Sequence, residues 1–176
     1  YVSVYPDIIC LSKGLTGGTM ALGITACRQK IFDAFLSEDK MKTLFHGHSF
    51  TANPIACAAA LGSFDLFTSQ DCKENIKRVV EQQKLFLTSL QNHSHIKNLR
   101  QTGTVIAFEI ISDEADSYTH GIRDFLYNFF LERHIILRPL GNTLYIMPPY
   151  CITNEQLDKV YNAIRELLSV LEKEKK

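Results

Sequence analysis

Three clusters in this chain combine residue types that could do chemistry, and the first is a lysine in an expensive place. Lys13 follows the apolar run Ile8-Ile9-Cys10-Leu11 in DIICLSKGLTGG, and Gly17 and Gly18 close the turn behind it. An ammonium at the end of a buried strand has to be paired, hydrated or titrated. Partly desolvated, it gives up its proton more readily, and the neutral amine can attack a carbonyl to form a Schiff base. A lysine that snorkels from a strand end into water is the plainer alternative. A Walker-type phosphate loop does not fit, because the lysine precedes the glycines and no GxxxxGK occurs.

The second cluster is HGHSFTANP, residues 46–54. Gly47 permits unusual backbone angles, and Ser49 and Thr51 place hydroxyls just before a helix N-terminus, a combination that can hold a phosphate. Asn53 before Pro54 serves equally well as an ordinary N-cap. His46 and His48 form an i,i+2 pair, but no carboxylate or cysteine stands at a spacing that would complete a metal site, so no metal is expected. The third cluster is LRPLGNTLYIMPPY, residues 137–150. Pro139 biases Arg138 to an extended conformation, and a guanidinium held that way suits bidentate capture of a carboxylate. A surface ion pair is the alternative for Arg138, and aromatic core packing is the ordinary role for Tyr145 and Tyr150.

These clusters need elements to hold them. Residues 7–11 and 21–27 read as strands, apolar throughout, as in a parallel or mixed sheet covered on both faces. A short helix is expected over 29–35 and a long loop over 37–54, followed by a small-residue helix opened by Pro54. A second helix is expected over 73–91, with Ile76, Val79, Val80, Leu87 and Leu90 at helical spacing. Beyond residue 96 the pattern gives a strand over 104–111, an amphipathic helix over 121–133, short strands at 135–137 and 144–147, and a final helix from Asn154. Thr153 and Gln156 form a capping box for that helix. Its EKEKK end reads as solvated, with lysines at the negative end of the helix dipole. The second part is thus a compact α+β unit, with a boundary near residue 70.

With 176 residues, 45% of them hydrophobic, the chain can build a sizeable core. Nineteen basic residues balance nineteen acidic ones, and no basic block precedes the tail, which argues against nucleic-acid binding. Five scattered cysteines (Cys10, Cys27, Cys57, Cys72, Cys151) without CxxC spacing read as buried reduced thiols and point to a reducing, cytoplasmic setting. No signal peptide and no membrane-length apolar run is evident. Tyr1 opens the chain without a methionine, directly before a strand, so the sequence is expected to begin inside a longer protein.

Taken in order, LSKGLTGG, HSFTANPIACAAA and LRPLGNTLYIMPPY resemble the class III pyridoxal-phosphate aminotransferases over nearly the whole length of the chain. The resemblance implies an α/β fold: residues 1–70 as the C-terminal part of the large domain of an aspartate aminotransferase-like transferase, and 71–176 as linker helix and small α+β domain. It implies that Lys13 holds pyridoxal phosphate as a Schiff base and moves the proton between substrate and cofactor. Ser49, where the family more often has threonine, would bind the cofactor phosphate across a homodimer interface. Gly47 would lie near the substrate, Arg138 would bind the carboxylate of a keto acid, and Tyr145 would line the pocket near it. The tyrosine-rich MPPY form is generally lacking in the members acting on ornithine, acetylornithine or 4-aminobutyrate, which remain the nearest rivals. The acid that pairs with the cofactor's ring nitrogen, the upstream glycine-serine phosphate site and the ring-stacking aromatic have no counterpart here, since Asp7 lies too close to Lys13. The 176 residues alone are therefore expected to be inactive. A non-catalytic α+β module, with Lys13 on the surface and Arg138 in an ion pair, is the reading from another class.

Overall fold

The computed structural model describes residues 3–111 and 121–174, the last without its side chain; Tyr1 and the final two lysines lie outside them. The chain divides into two compact units between Ser69 and Gln70.

In the first unit, β1 (Ile8–Leu11) and β2 (Ile24–Cys27) pair antiparallel, from Ile8 opposite Cys27 to Leu11 opposite Ile24. Both strands occur where expected, but not as members of a covered parallel or mixed sheet. Ile8, Ile9, Leu11 and Ile24 are 41–53% exposed. An uninterrupted apolar run records that a strand suits burial on both faces; it does not supply the layers that would cover them. Helix α1 (Gln29–Asp33) is two residues shorter than expected and frays into turns at Ala34 and Phe35. The connection that follows contains one short turn, Lys40–Lys42, where Asp39 accepts the backbone N–H of Met41 at 3.0 Å. Helix α2 (Pro54–Thr68) starts with proline in its first turn, where the missing N–H costs nothing. It is apolar on nearly every face, yet only Ala56 is buried, while Leu61, Phe64 and Phe67 stay exposed.

The second unit is built differently. Helix α3 (Gln70–Ser89) leads into an antiparallel sheet ordered β3-β4-β5, comprising Ile96–Thr102, Val105–Ile110 and Thr143–Ile146. Helix α4 (Ile122–Leu131) precedes β5, and α5 (Asn154–Glu174) ends the unit. Burial alternates along β4, so Ile106, Phe108 and Ile110 share one face. They form one core with Leu144 and Ile146 of β5, Phe129 and Phe130 of α4, Val79 and Phe86 of α3, and the Leu157–Leu168 stripe of α5. The capping box is present: the Thr153 N–H donates to Gln156 Oε1 at 2.9 Å, and the Gln156 N–H to Thr153 Oγ1 at 3.3 Å. Arg133 donates to both carboxylate oxygens of Glu166, at 3.0 and 2.6 Å, and joins α4 to α5. This pairing holds the Glu166 carboxyl below its usual range and raises the Arg133 guanidinium.

Three expectations need correction. Strand β3 was not anticipated, because IKNLRQT is polar at most positions and a bulge interrupts its register between Lys97 and Arg100. Ile135–Leu137 forms no strand: the segment has no ladder partner, and only Leu140 beyond it makes a bridge, to Thr143. The cysteines are free, but Cys10, Cys27, Cys57 and Cys151 are exposed and Cys72 is half-buried. Three of the exposed four lie in the first unit, whose elements have little to pack against.

His93, His95 and Glu172 bring potential metal donors within 4.8 Å of one another. Two of its ring nitrogens are already engaged: His95 Nδ1 lies 3.0 Å from the Ser94 hydroxyl, and His93 Nδ1 faces the His95 backbone. His93 Nδ1 accepts the His95 N–H, which leaves Nε2 to carry a proton toward Glu172 at 3.4 Å. No described helix is long and apolar enough to cross a membrane.

Candidate active site

Lys13 stands two residues beyond the last paired residue of β1, at the start of a tight turn spanning Lys13–Thr16. Its backbone is left-handed, with φ of 51°. A residue with a Cβ adopts that conformation only where its surroundings impose it, and such residues cluster at functional sites. Gly17 ends the turn at φ 61°, its N–H donating to Gly14 O at 3.1 Å. A Cβ there would come 3.3 Å from the Ser63 hydroxyl of α2, so glycine also sets how closely the turn approaches that helix.

The loop over residues 46–53 forms the other wall. The Thr51 hydroxyl accepts the His48 N–H at 3.0 Å, and the His48 carbonyl accepts the Thr51 N–H at 2.9 Å. The Phe50 N–H donates to His48 Nδ1 at 3.1 Å, so that nitrogen is occupied within the loop. Asn53 caps α2 by accepting the Ile55 N–H at 3.0 Å, the ordinary alternative for this residue. Ala52 has φ of 55°. Both non-glycine residues with left-handed backbone among the described residues of this unit, Lys13 and Ala52, line one open pocket of about 960 Å³. Gly47, His48, Thr51 and Thr25 line it too.

The structure thus brings Lys13 and Gly47 together. Ser49 belongs to the same loop but does not line that pocket; its hydroxyl is exposed and unpaired among the described residues. Arg138 and Tyr145 lie in the second unit. The Arg138 guanidinium is exposed, with no hydrogen-bond or ion-pair partner among the described residues. Tyr145 pairs with Ala107 on the sheet face opposite the core residues Leu144 and Ile146, and it is half-buried. Tyr150 is 41% exposed. Neither tyrosine has the core role that was its default reading. Sequence reasoning missed Thr16, which is 2% exposed and the one buried polar side chain among the described residues of the first unit. A threonine between Leu15 and Gly17 carries no periodic signal that would reveal it.

The donor set suits a carbonyl compound better than a metal. A primary amine, hydroxyls and the imidazoles of His46 and His48 line the pocket; His48 Nδ1 is taken by the Phe50 N–H, and no carboxylate or thiolate is among the lining residues to complete a metal site. That arrangement fits the aldehyde end of pyridoxal phosphate.

The family model for class-III aminotransferases matches residues 1–168. An adenosylmethionine-8-amino-7-oxononanoate aminotransferase from Synechococcus elongatus is 40% identical over 94% of this chain and 38% of its own length. The crystal structure of the enzyme of that name from Methanocaldococcus jannaschii superposes with a TM-score of 0.80 at 33% identity, covering 92% of this chain and 39% of that one. An amine transaminase from an uncultivated Pseudomonas species, in its pyridoxal-phosphate-bound form, matches with a TM-score of 0.78 at 28% identity, over 91% of this chain and 37% of its own. The chain therefore spans under two fifths of the length of these relatives. With the family model covering nearly all of it, the chain belongs to the class-III aminotransferases.

Proposed function

We propose that these residues serve, on a chain of the relatives' length (below, the full-length protein), the pyridoxal-phosphate-dependent aminotransferase of biotin biosynthesis. That enzyme moves an amino group from S-adenosylmethionine to 8-amino-7-oxononanoate, giving 7,8-diaminononanoate. The observation that carries the reading is Lys13 held in a left-handed turn on the wall of an open pocket, opposite the Gly47 loop. The names and identities of the relatives support the substrate assignment, as does the tyrosine-rich MPPY stretch beyond Arg138.

Each residue has a distinct task. The Lys13 amine would hold the cofactor's aldehyde carbon, and as a free amine it would serve as the base that takes the proton from the substrate carbon. The Ser49 hydroxyl, exposed and unpaired among the described residues, would donate to the phosphate of a cofactor bound by the second copy of a homodimer. Gly47 leaves room for substrate beside Lys13. Arg138, also without a partner among the described residues, binds the keto acid's carboxylate, and Tyr145 flanks it. Pyridoxal phosphate supplies the electron sink that makes the proton removable.

In this reading residues 1–70 complete a large cofactor domain, and 71–176 form the linker helix and small domain. The rest of the large domain covers the apolar faces of β1, β2 and α2. The enzyme is cytoplasmic, and the 176 residues alone do not turn over substrate. To test it, the full-length protein loaded with cofactor is offered S-adenosylmethionine, lysine, ornithine and glutamate separately. Loss of the cofactor's absorbance band with S-adenosylmethionine, reversed by 8-amino-7-oxononanoate, is the expected result. The same cycle with lysine would keep the product and change the donor. Bleaching by ornithine or glutamate with no response to that keto acid would move the function to another class III aminotransferase.

A further inference from the structure

The ladder between β1 and β2 ends at Leu11 opposite Ile24, and the chain then makes an excursion that carries Lys13. Side-chain hydroxyls tie this excursion across its width. Ser12 Oγ donates to the Leu22 carbonyl at 3.1 Å, directly beside Lys13. Deeper in, Thr16 Oγ1 donates to the Met20 carbonyl at 2.5 Å and lies 3.3 Å from the Met20 N–H, which donates back to it. The Thr16 carbonyl accepts both the Thr19 N–H, at 3.2 Å, and the Thr19 hydroxyl, at 2.8 Å. Thr16 is thus the hub of the turn from 16 to 20, and Met20 lines the Lys13 pocket.

We propose that Thr16 is a positioning residue for Lys13: its buried hydroxyl closes the 16–20 turn and, with Ser12 as the outer tie, holds Lys13 in its left-handed conformation on the pocket wall. The proposal rests on the reading of Lys13 as the cofactor lysine. A strained backbone persists only where its surroundings over-determine it. Here the surroundings are two hydroxyl ties and the contact of Gly17 with α2. β1 and β2 are exposed, so the packing support for the turn comes from α2. A valine at 16 would keep the shape and lose the tie, leaving the Met20 groups without their partner. A serine would keep the tie.

The test uses the full-length protein, without and with pyridoxal phosphate. Without it, amide hydrogen exchange is followed over residues 12–22 and over β3–β5 as an internal reference. Losing a buried hydrogen bond should make Thr16→Val exchange about tenfold faster over 12–22, whereas Thr16→Ser stays within about threefold of the unmutated protein. With cofactor bound, the pH midpoint of its absorbance transition should move in Thr16→Val and return in Thr16→Ser. A merely structural role would lower thermal stability and leave that midpoint in place. Unchanged exchange, or faster exchange with an unmoved midpoint, overturns the proposal. Should Thr16→Val not fold, Ser12→Ala decides: exchange over 12–22 should rise about threefold, and no rise overturns the proposal. If the unmutated protein shows no absorbance band that depends on Lys13, the cofactor reading fails instead. The exchange experiment still decides whether Thr16 orders the loop.

Discussion

The two units hold their residues in place by different means. Among the described residues the first buries only Ala56 and Thr16, while the second buries an entire core, from Val79 to Leu168. In the second unit position follows from packing: alternation along β4 sets the sheet faces, and helices α3, α4 and α5 close on one of them. In the first unit position follows from hydrogen-bonded turns, with Lys13, Gly17 and Ala52 in left-handed conformations between exposed apolar elements. Helix α2, apolar on nearly all sides, has the composition of a helix buried within a larger protein. The unit that carries Lys13 therefore depends, in this structure, on local hydrogen-bonded ties more than on a buried core. The unit that carries Arg138 and Tyr145 is a self-sufficient scaffold.

Substitutions can break or sharpen this contrast. The largest effect is expected from Lys13→Ala in the full-length protein, which should lower transamination by more than about a thousandfold, measured by single-turnover absorbance. Next is Phe108→Ala in the core of the second unit, expected to cost about 3–5 kcal/mol in denaturant unfolding. The contrasting change is Phe64→Ala in α2, where the side chain is 62% exposed. In the 176-residue chain it should cost less than about 0.5 kcal/mol. In the full-length protein, if the rest of the proposed large domain covers α2, it should cost about 3 kcal/mol. Equal costs in the two chains would remove the idea that the first unit is built to be covered.

A smaller effect comes from Tyr161, whose hydroxyl donates to the buried Gln83 side chain at 3.1 Å and whose ring stacks on Phe86. Burial pushes its pKa up from 10.0 to about 12. The unfolded chain therefore gives up this proton at lower pH than the folded one. The stabilisation is fully present below about pH 10 and is lost between about pH 10 and 12, amounting to about 3 kcal/mol. Tyr161→Phe should flatten that part of the stability profile of the second unit; an unchanged slope would assign it to other groups. The smallest effect is at the capping box, where Thr153→Ala should cost about 1 kcal/mol by thermal unfolding.

Local rules made much of the second unit legible. The apolar stripe of α5 and the Thr153–Gln156 pair marked a helix and its start, and both are present. Pro54 and Asn53 did the same for α2. Strand β3 escaped because only Ile96 in IKNLRQT is buried and the bulge breaks its alternation. Ile135–Leu137 misled because an apolar triplet can bury one side chain, here Ile135, without a ladder partner. Of the proposed site, residue types and order were readable, and Lys13 and Gly47 do line one pocket. The left-handed backbone of Lys13 and the buried hydroxyl of Thr16 were not readable. Both depend on how the turn closes on itself, and threonine before two glycines is compatible with many closures.

The measurement that bears most directly on the role of Lys13 is reductive trapping. The full-length protein is incubated with pyridoxal phosphate, treated with borohydride, digested and examined by mass spectrometry. The expected result is a phosphopyridoxyl group on the peptide carrying Lys13, and its absence in Lys13→Ala. Attachment at another lysine, or none in the unmutated protein, would contradict the assignment of Lys13 as the cofactor lysine.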